Sequence, residues 1–231
     1  MSKDLYAALS GATATWAQIE NLSNNVANTS TAGFKRGRMS FSLEGPEQQD
    51  GKVYAQATAI TLDLSDGPLQ ADGAPTHLAL QGRGFFAVQG PGETLYTRDG
   101  SFTLDTEGRL VTSGGLPVQG QGGEITLPPG ESIRVAEDGR VYGSRSGELD
   151  RIALFDGPVR PKGDNTWTAD GPMVEAEGAR VVQGSLEGSN VDPMGVMVEL
   201  IEASRYFEAY QRAMQTSDEA DSRLNQSGGR T

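Results

Sequence analysis

Apolar residues recur at a helical spacing near the start of the chain. Alternating steps of four and three residues connect Leu5, Leu9, Ala12, Trp16 and Ile19. Residues with this spacing lie on one stripe of a helix, close to a heptad seam. The asparagines and the small residues of 24–33 have low helix propensity and predict where that helix stops. The sequence therefore predicts an amphipathic N-terminal helix.

A second amphipathic stripe lies at the C-terminal end. Asp192 followed by Pro193 is a helix-start signal, because aspartate caps a first turn and proline fits its first position. Heptad spacing then connects Leu200, Ala203, Phe207, Tyr210, Met214 and Leu224, with Ser217 and Asp221 at the intervening positions. A helix from Pro193 to about Gln226 would be about 50 Å long, at about 1.5 Å per residue.

The two stripes leave two packing arrangements open. The helices can form a hairpin within one chain, or they can pack against helices of neighbouring subunits. The C-terminal helix is long beside an average of about 11–12 residues. The aromatic residues Trp16, Phe207 and Tyr210 are also typical anchors of an interface. We therefore expect packing between subunits rather than within one chain alone.

The middle of the chain has the pattern of short β-strands. Strand-like runs cover residues 78–80, 85–88, 95–97, 102–104, 110–111, 133–135 and 152–154. Turn dipeptides such as Asp99-Gly100, Glu107-Gly108 and Asp138-Gly139 separate several of them, which predicts an antiparallel meander or small barrel. Residues 33–75 contain Gly, Pro, Gln and Asp with strand-like pieces such as Val53–Leu64. This stretch predicts a linker or extended arm that orders on assembly.

The predicted fold class is therefore α+β. Long N- and C-terminal helices pack as a coiled-coil-like pair, and a central antiparallel β domain lies between them in the sequence. The predicted division is a terminal helical domain of residues 1–32 with 190–231, a linker or arm of residues 33–75, and a β-rich outer domain of residues 76–189.

Composition narrows the functional classes. The 231 residues carry a formal net charge of −12 and no cysteine. An acidic chain of this kind is a poor match for the nucleic-acid backbone, so no nucleic-acid partner is expected. Without cysteine, disulfides and thiolate metal sites are excluded. No run reaches the roughly 18 apolar residues of a membrane span, and the N-terminus lacks the pattern of a cleaved secretory signal.

Candidate chemistry in the sequence is weak. His77 is the single histidine, so a histidine metal cluster is excluded, and no Gly-x-Ser-x-Gly elbow supports a serine nucleophile beside it. The glycines of Gly82–Ala87 loosely match a dinucleotide fingerprint, but a strand follows where a helix is required, so a turn or bulge is expected. The basic cluster Lys35–Arg38 is expected to be solvated or to contact an acidic neighbouring subunit. No catalytic residue, metal site or cofactor is predicted.

Segments at both ends and in the middle resemble the bacterial flagellar rod and hook proteins. The N-terminal segments are Asn21–Asn28 (NLSNNVAN) and Thr31–Arg36 (TAGFKR), and the C-terminal ones are Gly184–Asp192 (GSLEGSNVD) and Glu199–Glu208 (ELIEASRYFE). In the middle, Leu80–Val88, Tyr96–Asp105 and Gly108–Gly114 are similar to that family as well. The resemblance covers nearly the whole chain in the same order.

The resemblance implies a subunit of the flagellar axial structure. Such a subunit would be exported without a cleaved leader, and it would lie in the basal body on the periplasmic side. Its terminal helices would form an inner tube with the β domain outside. Its partners would be copies of itself and other rod proteins, with the distal rod above. The resemblance places the assembly interface on Leu5, Leu9, Trp16, Ile19, Asn24, Asn28, Gly33, Phe34, Ser189, Asn190, Leu200, Phe207 and Tyr210.

Several alternatives stay open at this point. The short chain resembles the proximal rod subunits of the F type, and the longer distal rod subunits of the G type are the alternative within the family. From other classes, a β-rich hydrolase acting on peptidoglycan remains possible, because carboxylate pairs meet in space rather than along the chain. A ligand-binding β domain with helical dimerisation ends is the third reading.

Overall fold

The chain folds into two compact units. The computed structural model describes residues 3–44 and 54–228, with side chains within 8–41, 60–217 and at 219. The described parts of Met1–Asn28, Arg36–Asp63 and Val191–Thr231 form the first unit, here called the helical unit. Thr29–Lys35 and Leu64–Asn190 form the second, the β unit. The chain therefore passes between the units four times, after residues 28, 35, 63 and 190.

The helical unit contains both predicted helices and one β-hairpin. Its elements are α1 (Lys3–Ala27), β1 (Gly37–Glu44), β2 (Tyr54–Leu62) and α2 (Pro193–Gly228). Helix α2 begins at its predicted residue because an Asp192 carboxylate oxygen accepts a hydrogen bond from the Met194 amide at 3.2 Å. Helix α1 packs against α2 and against both strands of the antiparallel hairpin.

The β unit consists of short strands. They are β3 (Leu69–Ala71), β4 (Leu78–Gln81), β5 (Phe85–Gln89), β6 (Thr94–Thr97), β7 (Thr103–Leu104), β8 (Leu110–Val111), β9 (Ile133–Val135), β10 (Arg140–Gly143), β11 (Gly147–Arg151), β12 (Leu154–Asp156), β13 (Val159–Gly163), β14 (Thr166–Ala169), β15 (Val174–Glu175), β16 (Arg180–Gln183) and β17 (Ser185–Glu187). A six-stranded sheet has the order β13-β14-β6-β5-β12-β15, and a three-stranded sheet has the order β11-β10-β9. The pairs β16-β4, β17-β3 and β7-β8 complete the unit.

One apolar core lies beneath these strands. Its buried members are Leu78, Leu80, Phe86, Val88, Leu95, Phe102, Leu110, Val118, Ile125, Leu127, Ile133, Val135, Val141, Ile152, Leu154 and Val181. Alternate residues of a strand point to opposite faces, so Phe85 turns away from this core and packs its ring 5.3 Å from that of Trp167. Burial of these side chains stabilises the unit by about 25 cal/mol per Å² of apolar surface.

The predicted fold class α+β is confirmed, because two long helices accompany an antiparallel β unit. One predicted strand is displaced. The run 152–154 contributes to β12 only from Leu154 onward, because the Ile152 and Ala153 amides donate to the carbonyls of Gly139 and Gln119. The stretch predicted as a linker or arm, residues 33–75, contains β1, β2 and β3. Its ordering on assembly stays a prediction. Neither described helix combines the length and apolarity that crossing a membrane requires.

Candidate functional site

The two helices meet where Gly11 and Trp16 of α1 lie against the Tyr210 and Phe207 rings of α2. A Cβ added at Gly11 would lie 2.6 Å from the Tyr210 ring, so the ring fills the space that the missing side chain leaves. One turn away, the Trp16 and Phe207 rings have their centroids 5.5 Å apart. The buried face of α1 also includes Ala12, Ala14, Thr15, Leu22 and Asn25. The missing side chain of Gly11 permits close approach of the two helices at this point.

The predicted stripe on α1 only partly coincides with this buried face. Ala12 is buried, but Leu9 and Trp16 remain 51% and 50% exposed, and Ile19 is half-buried. Of the predicted stripe, Trp16 does contact α2, through Phe207, but the stripe omits Gly11, which lies against Tyr210. Leu9 and Trp16 therefore offer apolar surface that α2 of the same chain does not cover. The side chain of Leu5, the remaining member, lies outside the described residues.

Helix α2 has a second apolar face that the seam prediction missed. Leu200, Phe207 and Tyr210 are half-buried on the seam, alongside the buried Val196 and Ala203. On the opposite side, its first turns expose Met194, Met197, Val198 and Ile201. These four also have helical spacing, with steps of three, one and three residues. This signal was available in the sequence, since a helix that is apolar on two sides has to be covered on both.

The asparagines that follow the α1 stripe have different roles. Buried Asn25 bonds both backbone groups of Gly37, donating to its carbonyl and accepting from its amide, each at 2.9 Å. Asn21 donates to the same carbonyl. Asn28 donates to the Asn24 carbonyl at 2.9 Å, one turn back, whereas the Asn24 side chain is exposed. Asn25 and Asn21 thus fix the start of β1 on α1.

Replacement of Asn25 by alanine should destabilise the helical unit by about 2 kcal/mol, because it removes two buried hydrogen bonds and leaves backbone groups of Gly37 poorly satisfied. Asn24→Ala is the matched control, one residue away and exposed, and should change the free energy of unfolding by less than about 0.5 kcal/mol. Denaturant unfolding followed by Trp16 fluorescence in a Trp167→Phe background measures both. Equal effects of the two substitutions would contradict the role given to Asn25.

Three segments of the β unit meet in what we call the junction, which consists of residues 29–35, 64–68 and 185–190. The Gly33 amide donates to the Glu187 carbonyl at 2.7 Å, and the Gly188 amide donates to the Pro68 carbonyl at 2.8 Å. The Asn190 side-chain amide donates to the Ser65 carbonyl at 3.0 Å. Each segment is therefore hydrogen-bonded to at least one other.

Four predicted interface residues lie in this junction. Gly33 and Ser189 are buried, and Phe34 and Asn190 are half-buried. The Phe34 carbonyl accepts a hydrogen bond from the Asn190 amide at 3.4 Å. The predicted set thus divides between the units: these four belong to the β unit, and the other nine belong to the helical unit.

The prediction for the basic cluster was wrong at Lys35, whereas Arg38 is exposed as expected. Lys35 is fully buried, and its Nζ lies 2.5 Å from Glu187 Oε1. Arg36 bonds both carboxylate oxygens of Glu199, and Arg38 pairs with Asp63 at 2.7 Å. Burial lowers the pKa of the Lys35 ammonium, and its hydrogen bond to Glu187 opposes that shift. These cations are used within the chain, because its carboxylates neutralise them.

The weak chemical candidates adopt ordinary surface roles. The His77 Nδ1 atom lies 2.5 Å from Asp72 Oδ2 at the surface. The Ala74 amide and then His77 lower the pKa of the Asp72 carboxyl. Ser101 lies opposite His77, but its hydroxyl donates to Asp99. Gly82 and Gly84 have positive φ angles just before β5, which is the turn expected in place of a dinucleotide site.

Family models match three parts of the chain. The model described as flagella basal body rod protein matches residues 5–35. The flagellar hook protein FlgE/F/G D1 domain matches residues 79–143. The flagellar basal body rod FlgEFG protein C-terminal model matches residues 182–227. The first and last therefore cover most of α1 and α2, and the second covers much of the β unit.

Similar proteins extend over nearly the whole chain. The flagellar basal-body rod protein FlgF of Caulobacter vibrioides is 33% identical over 240 residues, covering 95% of each chain. FlgF of Salmonella typhimurium is 31% identical over 254 residues and covers 98% of each chain. The flagellar basal-body rod protein FlgG of Bacillus subtilis is 30% identical over 254 residues, covering 95% of this chain and 96% of its own.

Proposed function

The chain belongs to the family of flagellar basal-body rod proteins, and from that membership we propose that it enters the rod through the apolar surfaces of its two terminal helices. It is a structural rod subunit and not an enzyme, because the relatives it matches along their length are rod proteins. The hydrolase and ligand-binding alternatives are therefore set aside. The relatives support the F type, and the G type is the alternative.

The distribution of exposed apolar side chains carries this proposal. Among the side chains that the structure describes, twelve large apolar ones are exposed, and nine of the twelve belong to the helical unit. These nine are Leu9, Trp16, Phe41, Ile60, Met194, Met197, Val198, Ile201 and Tyr206. Concentrated apolar exposure of this kind is typical of a surface that another protein covers.

The pairing of the helices is the finer part of the proposal. We infer a coiled-coil-like pair in which Tyr210 packs over Gly11 and Phe207 packs against Trp16. The exposed sides of that pair then contact neighbouring subunits. A contact between different surfaces of identical subunits does not close on itself and builds a helical array. Such an array would form the inner tube of a drive shaft and export channel, with the β unit as its outer layer.

The predicted interface set enters this proposal in two groups. The first group supplies contact surface from the helices: Leu5, Leu9, Trp16, Ile19, Asn24, Asn28, Leu200, Phe207 and Tyr210. The second group, Gly33, Phe34, Ser189 and Asn190, belongs to the junction, where these residues hold their own chain together and do not contact a neighbouring subunit. The exposed α2 residues Met194, Met197, Val198 and Ile201 are added to the first group.

The proposed partners are copies of this chain and other rod proteins, with the distal rod above it. The proposed location is the periplasmic side of the basal body, reached by export without a cleaved signal peptide. Family membership supports these assignments. No nucleic-acid partner is proposed, in keeping with the net charge of −12.

Single cysteines test the proposal directly, because the natural chain contains none. Ile201→Cys and Val174→Cys replace exposed apolar residues of the helical unit and the β unit. Both thiols should react with a maleimide in the dilute monomer. In isolated basal bodies, Cys at 201 should react many times more slowly, while Cys at 174 keeps its reactivity. Equal reactivity of the 201 thiol in both states would contradict assembly through this face of α2.

A further inference from the structure

All the buried charges of the described chain meet at one point. Lys35, Arg98 and Glu187 are the fully buried charged side chains among the described residues. Glu187 Oε1 lies 2.5 Å from Lys35 Nζ, and Glu187 Oε2 lies 3.2 Å from Arg98 Nη1. One carboxylate thus pairs with two cations, and the half-exposed Asp66 lies 3.7 Å from the same Arg98 nitrogen. The four charges balance.

The Glu187 carboxylate connects all three segments of the junction. Glu187 belongs to segment 185–190, and its partner Lys35 belongs to segment 29–35. Its Oε1 atom also accepts the Gly67 amide at 2.9 Å, in segment 64–68. Lys35 Nζ reaches that segment too, donating to the Ser65 carbonyl at 2.7 Å.

Arg98 connects the same carboxylate to the β core. Its guanidinium donates to the carbonyls of Leu80 and Gly82, and it lies over the Phe85 ring at 5.6 Å. The Arg98 backbone also forms the wall against which Gly33 packs. A single charge cluster therefore joins the junction segments to the strands β4 and β5.

The junction segments are the places where the chain connects the two units. The chain passes between the two units after residues 28, 35, 63 and 190. Each of these crossings lies at one end of a junction segment. Any force that the covalent chain carries between the units therefore passes through the junction.

We propose that the Lys35–Glu187–Arg98 cluster is a mechanical joint. It holds together, as one rigid piece, the three junction segments at which the chain enters and leaves the β unit. The role rests on the proposed function, because the load on the joint would be the torque that a rotating shaft transmits through its subunits. The cluster acts as a positioning device. Buried ion pairs contribute little net stability compared with apolar packing, but loss of one partner leaves the others uncompensated.

Hydrogen exchange on the purified full chain tests the joint without the flagellum. Glu187→Gln keeps the shape of the side chain but removes its charge. We expect the amides of all three junction segments to exchange at least about tenfold faster, while strand β5 in the core keeps its rate. Lys35→Met removes the charge of the other member of the pair, and it should accelerate exchange in the same three segments without changing the rate of β5. Glu148→Gln, which alters an exposed glutamate of β11, is the matched control and should change none of these rates.

Two exchange results would overturn the proposal. Acceleration confined to segment 64–68, which loses its carboxylate acceptor, would mean that the segments open independently. Acceleration of β5 by the same factor would make the cluster a general stabiliser of the β unit and not a joint.

Swimming speed in cells tests the mechanical role. Glu187→Gln subunits should still enter rods, because the helix surfaces are unchanged, but swimming in viscous medium should be slower than with Glu148→Gln. Equal swimming, or failure of Glu187→Gln to enter rods, would overturn the joint. Neither result would disprove assembly through the helices, which the 201 and 174 thiols test separately.

Discussion

Phe207→Asp is expected to abolish rod formation and motility while leaving the β unit folded. Phe207 is half-buried on the α2 seam and packs its ring against Trp16. An aspartate at this position would place a charge within an apolar contact, where an unpaired carboxylate costs several kcal/mol or forces the contact apart. The loss should affect both the pairing of α1 with α2 and the surface that the pair presents.

The measurement has two parts. Motility and basal-body isolation report assembly, and Trp167 fluorescence of the purified chain in a Trp16→Phe background reports folding of the β unit. Gln211→Asp is the matched control, because it adds the same charge one turn later at an exposed polar position. It should leave both readouts near the wild-type level. Normal motility with Phe207→Asp would rule out the α2 seam as an assembly surface.

The second large effect is expected at Gly33. Its φ angle is +66°, a left-handed conformation that costs a residue with a side chain about 1–2 kcal/mol. A Cβ there would also lie 2.2 Å from the Arg98 carbonyl carbon and oxygen, which are backbone atoms and cannot rotate away. Gly33→Ala should therefore destabilise the β unit by about 3 kcal/mol or more.

Gly115→Ala separates the two causes of that loss. Gly115 also has a positive φ angle, +79°, but no atom lies within 4 Å of the Cβ position. This substitution should cost only about 1 kcal/mol. Both values can be read from denaturant unfolding of monomers. If Gly33→Ala left monomer stability unchanged and blocked assembly alone, Gly33 would be a contact residue between subunits and not a constraint within one chain.

Patterns that depend on local spacing predicted the elements well. Asp192-Pro193 gave the start of α2, because capping and the fixed proline φ act within one turn. The apolar run 85–88 gave β5 for a similar reason. The periodicity of α1 identified a helix and placed Trp16 on the face that contacts Phe207. It missed Gly11, which lies under the Tyr210 ring, because a glycine adds nothing to a hydrophobic pattern.

The junction could not be predicted, because its partners are far apart in sequence. Lys35 and Glu187 are separated by 152 positions, and no local pattern marks either as buried. A lysine within a basic run is ordinarily solvated, so the sequence predicts a surface position for Lys35–Arg38. The resemblance identified the segments TAGFKR and GSLEGSNVD as belonging together in one family. Only the three-dimensional contacts explain their pairing: each supplies one half of the same buried ion pair.

The hydrogen bond between Asn190 and Ser65 affects which insertions, deletions and exchanges of sequence this protein can tolerate. It holds together the two ends of the segment 64–190, which comprises almost all of the β unit. A segment whose ends touch can be lengthened, shortened or exchanged without moving the residues on either side of it. Residues 64–190 are in this sense a cassette inserted between β2 and α2. Recombination at its borders could change what the subunit presents while the two helices keep their register.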